Sequence, residues 1–370
     1  MAAAVNAPAP IERAELLDRL RETAPWDAVI VGGGATGLGI ALDSATRGLR
    51  VALIDAQDFA AGTSSRSTKL VHGGVRYLAQ GNLKLVREAL EERAVLLAIA
   101  PHLVHPLEFI VPCYRLLERE TMLIGLGAYD LAAGRYSIGP TRALSAAETQ
   151  ARLPGVKADG LRGGVSYWDG QFDDALMCIA LMQTAYAQGA TPVNYMRCAA
   201  LRIEGPTAVV SAEDVETGER FELRTRCVFN AAGVWVDSIR RMADPSARPV
   251  TTVSQGSHVV VDRDFLPGTA GMMIPRTRDG RVLFAIPWHR KLLIGTTDQA
   301  RDDAPFDPQP STQEIDFILE TAAGYLARPI GRADVRAAFA GLRPLFPPGA
   351  ARGSGTARIS REHAVLTEFG

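Results

Sequence analysis

A glycine-rich loop between a short apolar strand and a helix constrains this chain more than any other feature. Residues 27–31 are apolar and predict a strand, and they run directly into residues 32–37, Gly-Gly-Gly-Ala-Thr-Gly. Residues 38–47 predict a helix that ends at Gly48. Residues 50–55 predict a second apolar strand. This order predicts a βαβ unit, whose right-handed crossover makes the two strands parallel.

The spacing of the glycines indicates what such a unit binds. Gly32 permits a tight turn, Gly34 lets the backbone approach a pyrophosphate, and Gly37 lets the helix pack closely on the strand. The N–H groups at the start of the helix attract phosphates. Asp55 ends the second strand, where a carboxylate bonds ribose hydroxyls. The sequence therefore predicts an adenine-dinucleotide site.

The rest of the chain favours FAD over NAD as the dinucleotide. NAD enzymes normally repeat the βαβ unit to hold the second nucleotide, and this sequence has no second glycine fingerprint. Residues 228–233, Val-Phe-Asn-Ala-Ala-Gly, instead predict a strand that ends on small residues. Ala232 and Gly233 would let the backbone come close to a dinucleotide that lies across the first unit. An ordinary strand-to-helix turn is the alternative interpretation of these residues.

Composition and charge exclude several other classes of protein. A formal net charge of -1 excludes the basic field that sequence-independent nucleic-acid binding needs. The cysteines are scattered, so neither a disulfide framework nor a metal site is predicted, and a reducing cytoplasm fits. Residues 1–25 lack the pattern of a signal peptide, and we expect a disordered or short helical extension there. No apolar run approaches the roughly 20 residues that a membrane-spanning helix needs.

Downstream, the sequence predicts a second, antiparallel sheet. Three short β runs separated by turns, at residues 272–275, 282–287 and 291–296, predict a meander with its own core.

A long helix is predicted before this meander. Asn82 is placed to cap that helix, and Leu83 is expected among its buried residues. A chain of 370 residues exceeds one ordinary core, so we expect two domains.

A series of motifs resembles one family over nearly the whole chain from about residue 26. The motifs are residues 32–37, Thr63-Ser64-Ser65, Lys69, and residues 72–78, 100–102, 168–169, 173–175, 230–235, 256–258, 294–298, 341–345 and 360–363. They are similar to those of the FAD-dependent, quinone-linked glycerol-3-phosphate dehydrogenases. The Lys-Leu-x-His-Gly-Gly-x-Arg-Tyr stretch that begins at Lys69 is highly specific.

The resemblance implies an α/β fold with two interleaved domains. One is a Rossmann-like FAD-binding domain of the D-amino-acid-oxidase/glutathione-reductase type, and the other is an antiparallel-sheet substrate domain. The FAD-binding domain would comprise residues 26–100, 150–250 and 335–370, and the substrate domain residues 101–149 and 251–334.

The resemblance also implies an activity, the oxidation of sn-glycerol 3-phosphate to dihydroxyacetone phosphate in glycerol metabolism. Hydride would pass from C2 of the substrate to N5 of FAD, with loss of the C2 hydroxyl proton to a base. The electrons would pass to membrane quinone. That acceptor implies a cytoplasmic protein bound peripherally to the inner face of the cytoplasmic membrane, and a homodimer is a further expectation.

Most of the residues implied in cofactor binding lie in the glycine loop and in the segments that follow it. They are Gly32, Gly34, Thr36, Gly37, Asp55, Ala56, Thr63, Ser64, Ser65, Lys69, His72, Gly73, Cys198, Ala232 and Gly233. Ser64 and Ser65 would bond the pyrophosphate or the ribityl chain, and a solvated turn is their alternative. Lys69 and His72 would lie along the flavin. For Lys69 the alternative is a surface charge.

Arginine and histidine side chains supply the candidates for substrate binding and catalysis. Arg76 and Arg343 are the candidate clamps, because a guanidinium binds phosphate oxygens bidentately, and Tyr77 would add a hydroxyl. Each arginine is otherwise a salt-bridge partner. His258 is the candidate base because imidazole titrates near working pH. Arg343 is the alternative catalytic group, stabilising the developing alkoxide, and Thr296 is expected to border the substrate.

Family members continue beyond the point at which this sequence ends, with a Gly-Gly-Lys motif and then Thr-Thr-Tyr-Arg. We therefore expect these 370 residues to be a fragment, a truncated reading frame or a variant whose missing part lies elsewhere, and to retain FAD weakly with little turnover alone. Three alternatives stay open for the function. They are an oxidase of the same fold that reduces oxygen, an amino-acid or 2-hydroxy-acid oxidoreductase, and an inactive flavin-binding fragment.

Overall fold

The chain divides into two compact units that alternate along the sequence. The computed structural model describes residues 10–75, 82–278, 280–346 and 364–368. As far as these residues extend, unit 1 comprises Met1–Ser65, Ala175–Thr251 and Val365–Gly370, and unit 2 comprises Arg66–Asp174 and Thr252–Ala364.

Within the described residues, the regular elements are mostly strands. In chain order they are β1 Trp26–Val31, β2 Val51–Ile54, β3 Leu70–Val71, β4 Val104–Cys113, β5 Arg142–Leu144, β6 Gly163–Phe172, β7 Thr191–Val193, β8 Met196–Glu204, β9 Thr207–Asp214, β10 Arg220–Asn230, β11 Thr252–Asp262, β12 Gly271–Ile274, β13 Leu283–Trp288, β14 Lys291–Gly295, β15 Gln299–Arg301 and β16 Ala337–Leu345. The α-helices are α1 Arg13–Arg21, α2 Ala35–Thr46, α3 Leu83–Ile99, α4 Glu118–Ala133, α5 Ala146–Arg152, α6 Asp174–Ala187, α7 Val236–Ala243 and α8 Thr312–Ala323.

Unit 1 is a six-stranded sheet with helices on both faces. Its strand order is β7-β2-β1-β10-β9-β8, in which the first four strands are parallel and the last two continue antiparallel. Successive residues of β1 point to opposite faces, so Ile30 packs with Leu38 of α2, whereas Val29 packs in the same cluster as Leu16 of α1. Burial on both faces explains why β1 is almost continuously apolar. The predicted βαβ unit is confirmed.

Unit 2 is built on a larger, mainly antiparallel sheet. Its strand order is β15-β11-β14-β13-β12-β4-β6-β3, with β16 added to β11 and β5 added to β6. The strands β12, β13 and β14 form the predicted antiparallel meander. On one face, Ile318 and Leu319 of α8 share a buried cluster with Val259 and Val261 of β11. The other face is covered by α3 and α4. Leu90 of α3 lies in a second buried cluster on that face.

The boundaries of the two units differ from the predicted domain ranges. Residues 66–100, 150–174 and 335–346, which the resemblance assigns to the FAD-binding domain, lie in unit 2. Strand pairing is the reason, because β3 pairs with β6 inside the larger sheet and β16 pairs with β11 along most of its length. A strand's own sequence does not specify which sheet it joins.

Two helices refine the expectations for local structure. Asn82 caps α3 as predicted, since its side-chain oxygen accepts a hydrogen bond from the Leu85 N–H at 3.2 Å. The prediction that Leu83 is buried is wrong, because this side chain is 60% exposed. Leu83 is the first residue of α3 and lies beyond the turns that pack on the sheet. The other helix is α1, which lies in the N-terminal extension and buries Leu16 and Leu20.

Candidate active site

In unit 1 the glycine loop is held by close contacts that only glycine permits. Gly32 has a φ of 115°, and a Cβ there would lie 2.4 Å from the carbonyl oxygen of Ala231. A Cβ on Gly37 would lie 1.9 Å from the carbonyl oxygen of Gly32. The loop therefore turns tightly beside the end of β10, and α2 begins directly on it.

Asp55, just after β2, braces this loop. Its Oδ2 accepts a hydrogen bond from the Gly33 N–H at 2.5 Å, and its Oδ1 accepts one from the Gln57 N–H at 2.8 Å. Burial raises the pKa of Asp55, and these two hydrogen bonds oppose the rise. Each carboxylate oxygen keeps a second lone pair, which can accept a hydrogen bond from a ribose hydroxyl. Ala56 follows directly and is half-buried.

The 3-10 helix Thr63–Ser65 lies against the N-terminus of α2. Ser64 Oγ accepts a hydrogen bond from the Ala35 N–H at 2.9 Å, and a Cβ on Gly34 would lie 3.0 Å from the same oxygen. The N–H groups of Thr36 and Gly37 belong to the first turn of α2, where an α-helix has no internal acceptors. Such N–H groups and the helix dipole stabilise an anion like pyrophosphate. The residues of this unit thus fit a dinucleotide.

Three further predicted cofactor residues lie near the other strands of unit 1. Ala232 and Gly233 follow β10 directly, and Gly233 has a φ of 57°, a conformation that glycine adopts without strain. Cys198 is different, because it is buried on β8 with its Sγ 3.8 Å from the Sδ of Met242. Burial raises the pKa of the Cys198 thiol to about 11. That thiol packs in the apolar core of unit 1, so the predicted contact of Cys198 with the cofactor would have to use its backbone.

In unit 2, Lys69 is buried and ion-paired. Its Nζ lies 2.6 Å from Asp174 Oδ1, and the residue is 8% exposed. The same Nζ lies 5.8 Å from the ring centroid of Trp288 and 5.6 Å from that of Phe339. Lysine is almost never buried to this extent unless it is paired. The structure therefore excludes the surface-charge alternative for Lys69.

A buried polar chain holds the loop that contains His72 and Gly73. The Gly73 N–H donates to the Tyr129 hydroxyl at 2.7 Å, and this hydroxyl donates to Asp169 Oδ2 at 2.9 Å. Arg93 completes the chain with an ion pair to Asp169 Oδ1 at 2.9 Å. A Cβ on Gly73 would lie 2.6 Å from the Tyr129 hydroxyl oxygen, so glycine is required at this contact. His72 itself is exposed at the edge of this loop.

His258 lies on β11, and its environment keeps it neutral. The residue is 2% exposed, its Nε2 lies 2.9 Å from Thr68 Oγ1, and its ring stacks on Phe339. Among the described residues no hydrogen-bond partner faces its Nδ1. Burial, and after it the positive charges of Arg343 and Lys69, lower the pKa of His258 to about 3. In this environment the pKa of the imidazole lies well below working pH, unlike the value expected from the sequence, and the role of His258 as the base stays a prediction.

Arg343, on β16, extends across β11 to the residues that follow β14. Its Nη2 donates to Thr296 Oγ1 at 2.9 Å and to the carbonyl oxygen of Thr297 at 3.0 Å. A Cβ on Gly256 would lie 2.0 Å from Nη2, so the guanidinium occupies the space that this glycine leaves. Its Nη1 lies 3.9 Å from Asp298 Oδ1. These contacts place a largely buried cation beside a threonine hydroxyl.

Unit 2 therefore gathers several of the predicted site residues, and its folding adds others. Lys69, His258, Thr296 and Arg343 all lie in it, whereas Arg76 and Tyr77 lie outside the described residues. The supporting residues that sequence reasoning did not assign to the site are Thr68, Arg93, Tyr129, Asp169, Asp174, Ser257, Thr297 and Glu314. A sequence signal existed for Glu314, because Ser311-x-x-Glu314 is the pattern of a helix capping box.

The described residues were found to contain neither a membrane span nor a metal cluster. None of the helices in this part of the chain is long and apolar enough to cross a membrane. No group of three or more His, Cys, Asp or Glu side chains among these residues is arranged to hold a metal ion.

The sheet order of unit 1, with a glycine loop at the start of α2 and an acid after β2, defines a dinucleotide-binding protein. Residues 27–369 match the family model described as FAD dependent oxidoreductase. The chain belongs to that family, and its cofactor is FAD.

Within this family, the chain is similar to glycerol-3-phosphate dehydrogenases. It is 41% identical to the mitochondrial glycerol-3-phosphate dehydrogenase of Homo sapiens over 99% of this chain and 52% of that protein. It is also 41% identical to the probable mitochondrial enzyme of Caenorhabditis elegans, over 90% of this chain and 48% of that protein. The chain thus spans about half the length of the curated relatives it matches.

A solved structure supports the same likeness. The glycerol-3-phosphate dehydrogenase from Bacillus halodurans, complexed with FAD, superposes with a TM-score of 0.73 at 32% identity, over 90% of this chain and 59% of that chain. Glycine oxidase from Geobacillus kaustophilus shares the fold, with a TM-score of 0.69 at 21% identity, over 90% of this chain and 88% of that chain.

Proposed function

We propose that this chain oxidises sn-glycerol 3-phosphate to dihydroxyacetone phosphate as a glycerol-3-phosphate dehydrogenase. The observation that carries the proposal is the position of Arg343, whose largely buried guanidinium lies beside the Thr296 hydroxyl and close enough to His258 to lower its pKa. A guanidinium binds phosphate and alkoxide oxygens with a fixed fork of donors. The identity of 41% with the human mitochondrial dehydrogenase over 99% of this chain supports the same substrate.

Unit 1 is proposed to bind the cofactor. The first-turn N–H groups of α2, together with Ser64 and Ser65, hold the pyrophosphate, while Asp55 accepts from the ribose hydroxyls. Ala56, Thr63, Ala232 and Gly233 border the same ligand through their backbone. When bound, FAD supplies the acceptor for the hydride that leaves C2 of the substrate.

Unit 2 is proposed to bind the substrate and to move its proton. Arg343 binds the phosphate or stabilises the C2 oxygen as its proton leaves, and Thr296 holds the guanidinium in place. Arg76 and Tyr77 complete the phosphate clamp. His258 accepts the C2 hydroxyl proton at Nδ1, in the tautomer whose Nε2–H donates to Thr68 Oγ1. An anion bound at Arg343 offsets the charge that holds the pKa of His258 down.

Lys69 and His72 are proposed to face the flavin side of the cofactor. The ion pair of Lys69 with Asp174 fixes the direction of its side chain, and the Gly73 contact with Tyr129 fixes the loop that carries His72. A cation held in this way stabilises negative charge that develops on a neighbouring group. Both side chains are therefore assigned to positioning and electrostatic roles.

An anaerobic flavin spectrum tests the proposed substrate. We expect sn-glycerol 3-phosphate to bleach the flavin absorbance of the protein at its natural length, whereas glycerol, glycine and lactate leave it unchanged. Arg343→Met is expected to abolish bleaching. The control Arg336→Met, which removes a surface ion pair with Asp262, is expected to leave it intact. Bleaching by glycine or lactate alone would replace the proposed substrate with an amino acid or a 2-hydroxy acid.

The electron acceptor is proposed to be quinone. Because quinone lies in the membrane, the protein is proposed to bind peripherally to the inner face of the cytoplasmic membrane. A homodimeric state is proposed as well. The test is reoxidation of the substrate-reduced protein by a soluble quinone analogue and, separately, by oxygen. Fast reoxidation by the quinone alone supports the proposal. Fast reoxidation by oxygen with release of peroxide identifies an oxidase instead. Co-sedimentation with anionic lipid vesicles and the sedimentation mass check the location and the dimer.

A further inference from the structure

We propose that Glu314 is a positioning residue for substrate binding, because its buried carboxylate ties together the two segments that present His258 and Thr296. Glu314 touches none of the proposed reacting atoms. It acts through Ser257 and Thr297, which are the chain neighbours of those two residues. This inference rests on the proposed oxidation of glycerol 3-phosphate, and it adds a residue that fixes the geometry of that site.

The starting point is the capping box at the N-terminus of α8. Ser311 is the N-cap residue, its N–H donates to Glu314 Oε2 at 3.0 Å, and its Oγ accepts a hydrogen bond from the Glu314 N–H at 3.2 Å. In a capping box, the carboxylate accepts a hydrogen bond from the N-cap N–H at the helix end. Glu314 is also only 5% exposed, so its carboxylate has a second environment.

That second environment consists of side chains from β11 and from the segment after β14. Glu314 Oε1 accepts hydrogen bonds from Ser257 Oγ at 2.7 Å and from Thr297 Oγ1 at 2.6 Å. Oε2 accepts a hydrogen bond from Gln255 Nε2 at 2.7 Å. One carboxylate thus connects the start of a helix to β11 and to the segment that follows β14.

The two connected parts present the proposed catalytic groups. Ser257 precedes His258 on β11, and its N–H donates to Thr297 Oγ1 at 2.9 Å. Thr297 follows Thr296, and its carbonyl oxygen accepts one of the hydrogen bonds of Arg343. A shift of Thr297 therefore moves an acceptor of the guanidinium, and a shift of Ser257 moves the backbone of His258.

The donors around Glu314 require an ionised carboxylate. Its two oxygens accept hydrogen bonds from four donors: Ser257 Oγ, Thr297 Oγ1, Gln255 Nε2 and the Ser311 N–H. Only the ionised carboxylate accepts at both oxygens without carrying a proton of its own. Although burial by itself raises the pKa of Glu314, these hydrogen bonds outweigh burial and lower it. A neutral amide at this position offers one oxygen in place of two and adds donors that face other donors.

The chain contains a matched control for this residue. Ser145 and Glu148 form the same capping box at the start of α5, with the Ser145 N–H donating to Glu148 Oε2 at 2.7 Å. Glu148 is exposed, and among the described residues Ser145 is its hydrogen-bond partner. Glu148→Gln therefore changes a residue that serves the helix cap alone, whereas Glu314→Gln also disturbs the hydrogen bonds to β11 and Thr297.

The experiment compares Glu314→Gln, Glu148→Gln and wild type in the FAD-loaded protein at its natural length. Steady-state kcat and KM for sn-glycerol 3-phosphate, flavin content and thermal unfolding are measured for each. We expect Glu314→Gln to lower kcat/KM about tenfold or more, because small displacements of positioned groups cost that much, with unchanged flavin content. Glu148→Gln should leave kcat/KM unchanged. Equal kcat/KM in the two variants would overturn the proposal.

A second pair of variants covers the case in which Glu314→Gln fails to fold. Thr297→Val removes the hydroxyl that donates to Glu314 while keeping the side-chain shape, and Thr297→Ser keeps the hydroxyl. The valine variant is expected to lose kcat/KM as Glu314→Gln does, and the serine variant to retain it. A purely structural role for Glu314 predicts lower unfolding temperatures with unaltered KM. Failure of the proposed function shows separately, as a wild-type protein that glycerol 3-phosphate does not reduce.

Discussion

The guanidinium of Arg343 packs over the Cα of Gly256, so closely that a Cβ on this glycine would lie 2.0 Å from Nη2. Gly256 and Gly341 are direct partners between β11 and β16, and Ser254 is the partner of Arg343 itself. The side chain of Arg343 thus runs along β11 by two residues and ends beside Thr296. The absence of a side chain at residue 256 determines where the cation lies.

Gly256→Ala is predicted to displace this cation. Because misplacement of a positioned group by about 1 Å costs on the order of 100-fold in rate, kcat/KM for glycerol 3-phosphate should fall by about that factor. Flavin content should stay normal, since Gly256 lies in unit 2 and the dinucleotide loop in unit 1. The control is Gly125→Ala on α4, where a Cβ meets no atom within 4 Å. Full activity in both variants would contradict the role assigned to Arg343.

Gly37→Ala is predicted to remove FAD from the protein. Its Cβ would lie 1.9 Å from the carbonyl oxygen of Gly32, so the glycine loop or the start of α2 must move. Gly39→Ala is the matched control two residues further along the same helix, because a Cβ there meets no atom within 4 Å. The measurement is flavin absorbance per protein after purification. We expect Gly39→Ala to keep its flavin and to gain up to about 1 kcal/mol of stability.

His258 is predicted to make stability depend on pH. The pKa of His258 is about 3 in the folded protein, against an ordinary value of 6.5, because the residue is buried and lies near Arg343 and Lys69. Between these two values the unfolded chain binds a proton that the folded chain does not bind. The contribution of neutral, buried His258 to the free energy of unfolding should therefore be complete above about pH 6.5. It should decrease as the pH falls from there toward about 3.

The pH prediction is checked by measuring the free energy of unfolding at several pH values across this window. His258→Gln, which does not titrate, should show a shallower dependence on pH than wild type. His102→Gln is the control, because His102 is exposed in the folded protein and loses little water on folding. Identical slopes for wild type and His258→Gln would show that the pKa of this imidazole is the same in the folded and unfolded states, against the prediction.

Tyr129→Phe is predicted to be more destabilising than Tyr167→Phe. The Tyr129 hydroxyl accepts from the Gly73 N–H and donates to Asp169, so its loss leaves two buried polar groups without their partner, at a cost of about 1–3 kcal/mol each. The Tyr167 hydroxyl lies 3.3 Å from the Met273 sulfur, a weak acceptor. Denaturant unfolding compares the two variants, and amide exchange at Gly73 reports the loop. Equal stabilities would remove the anchoring role of Tyr129.

Part of the structure follows from residues that are close together in the sequence. The β1–α2–β2 unit is predictable because the strand, the glycines and the helix occupy one continuous stretch, residues 26–54, and their contacts are local. The meander of β12, β13 and β14 is predictable for the same reason, since each turn joins neighbouring strands. The cap of α3 by Asn82 depends on a residue only three positions from its donor.

Other features depend on contacts between distant residues and were not predictable. Lys69 and Asp174 are separated by 105 positions, so the sequence left a surface charge open as an alternative for Lys69. The assignment of β3, β6 and β16 to the larger sheet required pairings that local patterns do not specify. The position of the Cys198 thiol in an apolar core depends on residues from several distant strands and helices.

The sequence by itself determined the dinucleotide loop, the acid after β2, the class of cofactor and the residue types available for an anionic substrate. These follow from short-range spacing, because backbone geometry at a glycine loop is a local property. Only the tertiary structure decided that His258 is buried beside two cations, that Arg343 lies over Gly256, and that Glu314 joins a helix cap to β11 and to the segment after β14. Burial and electrostatic environment are set by groups far apart in the chain, and folding alone brings those groups together.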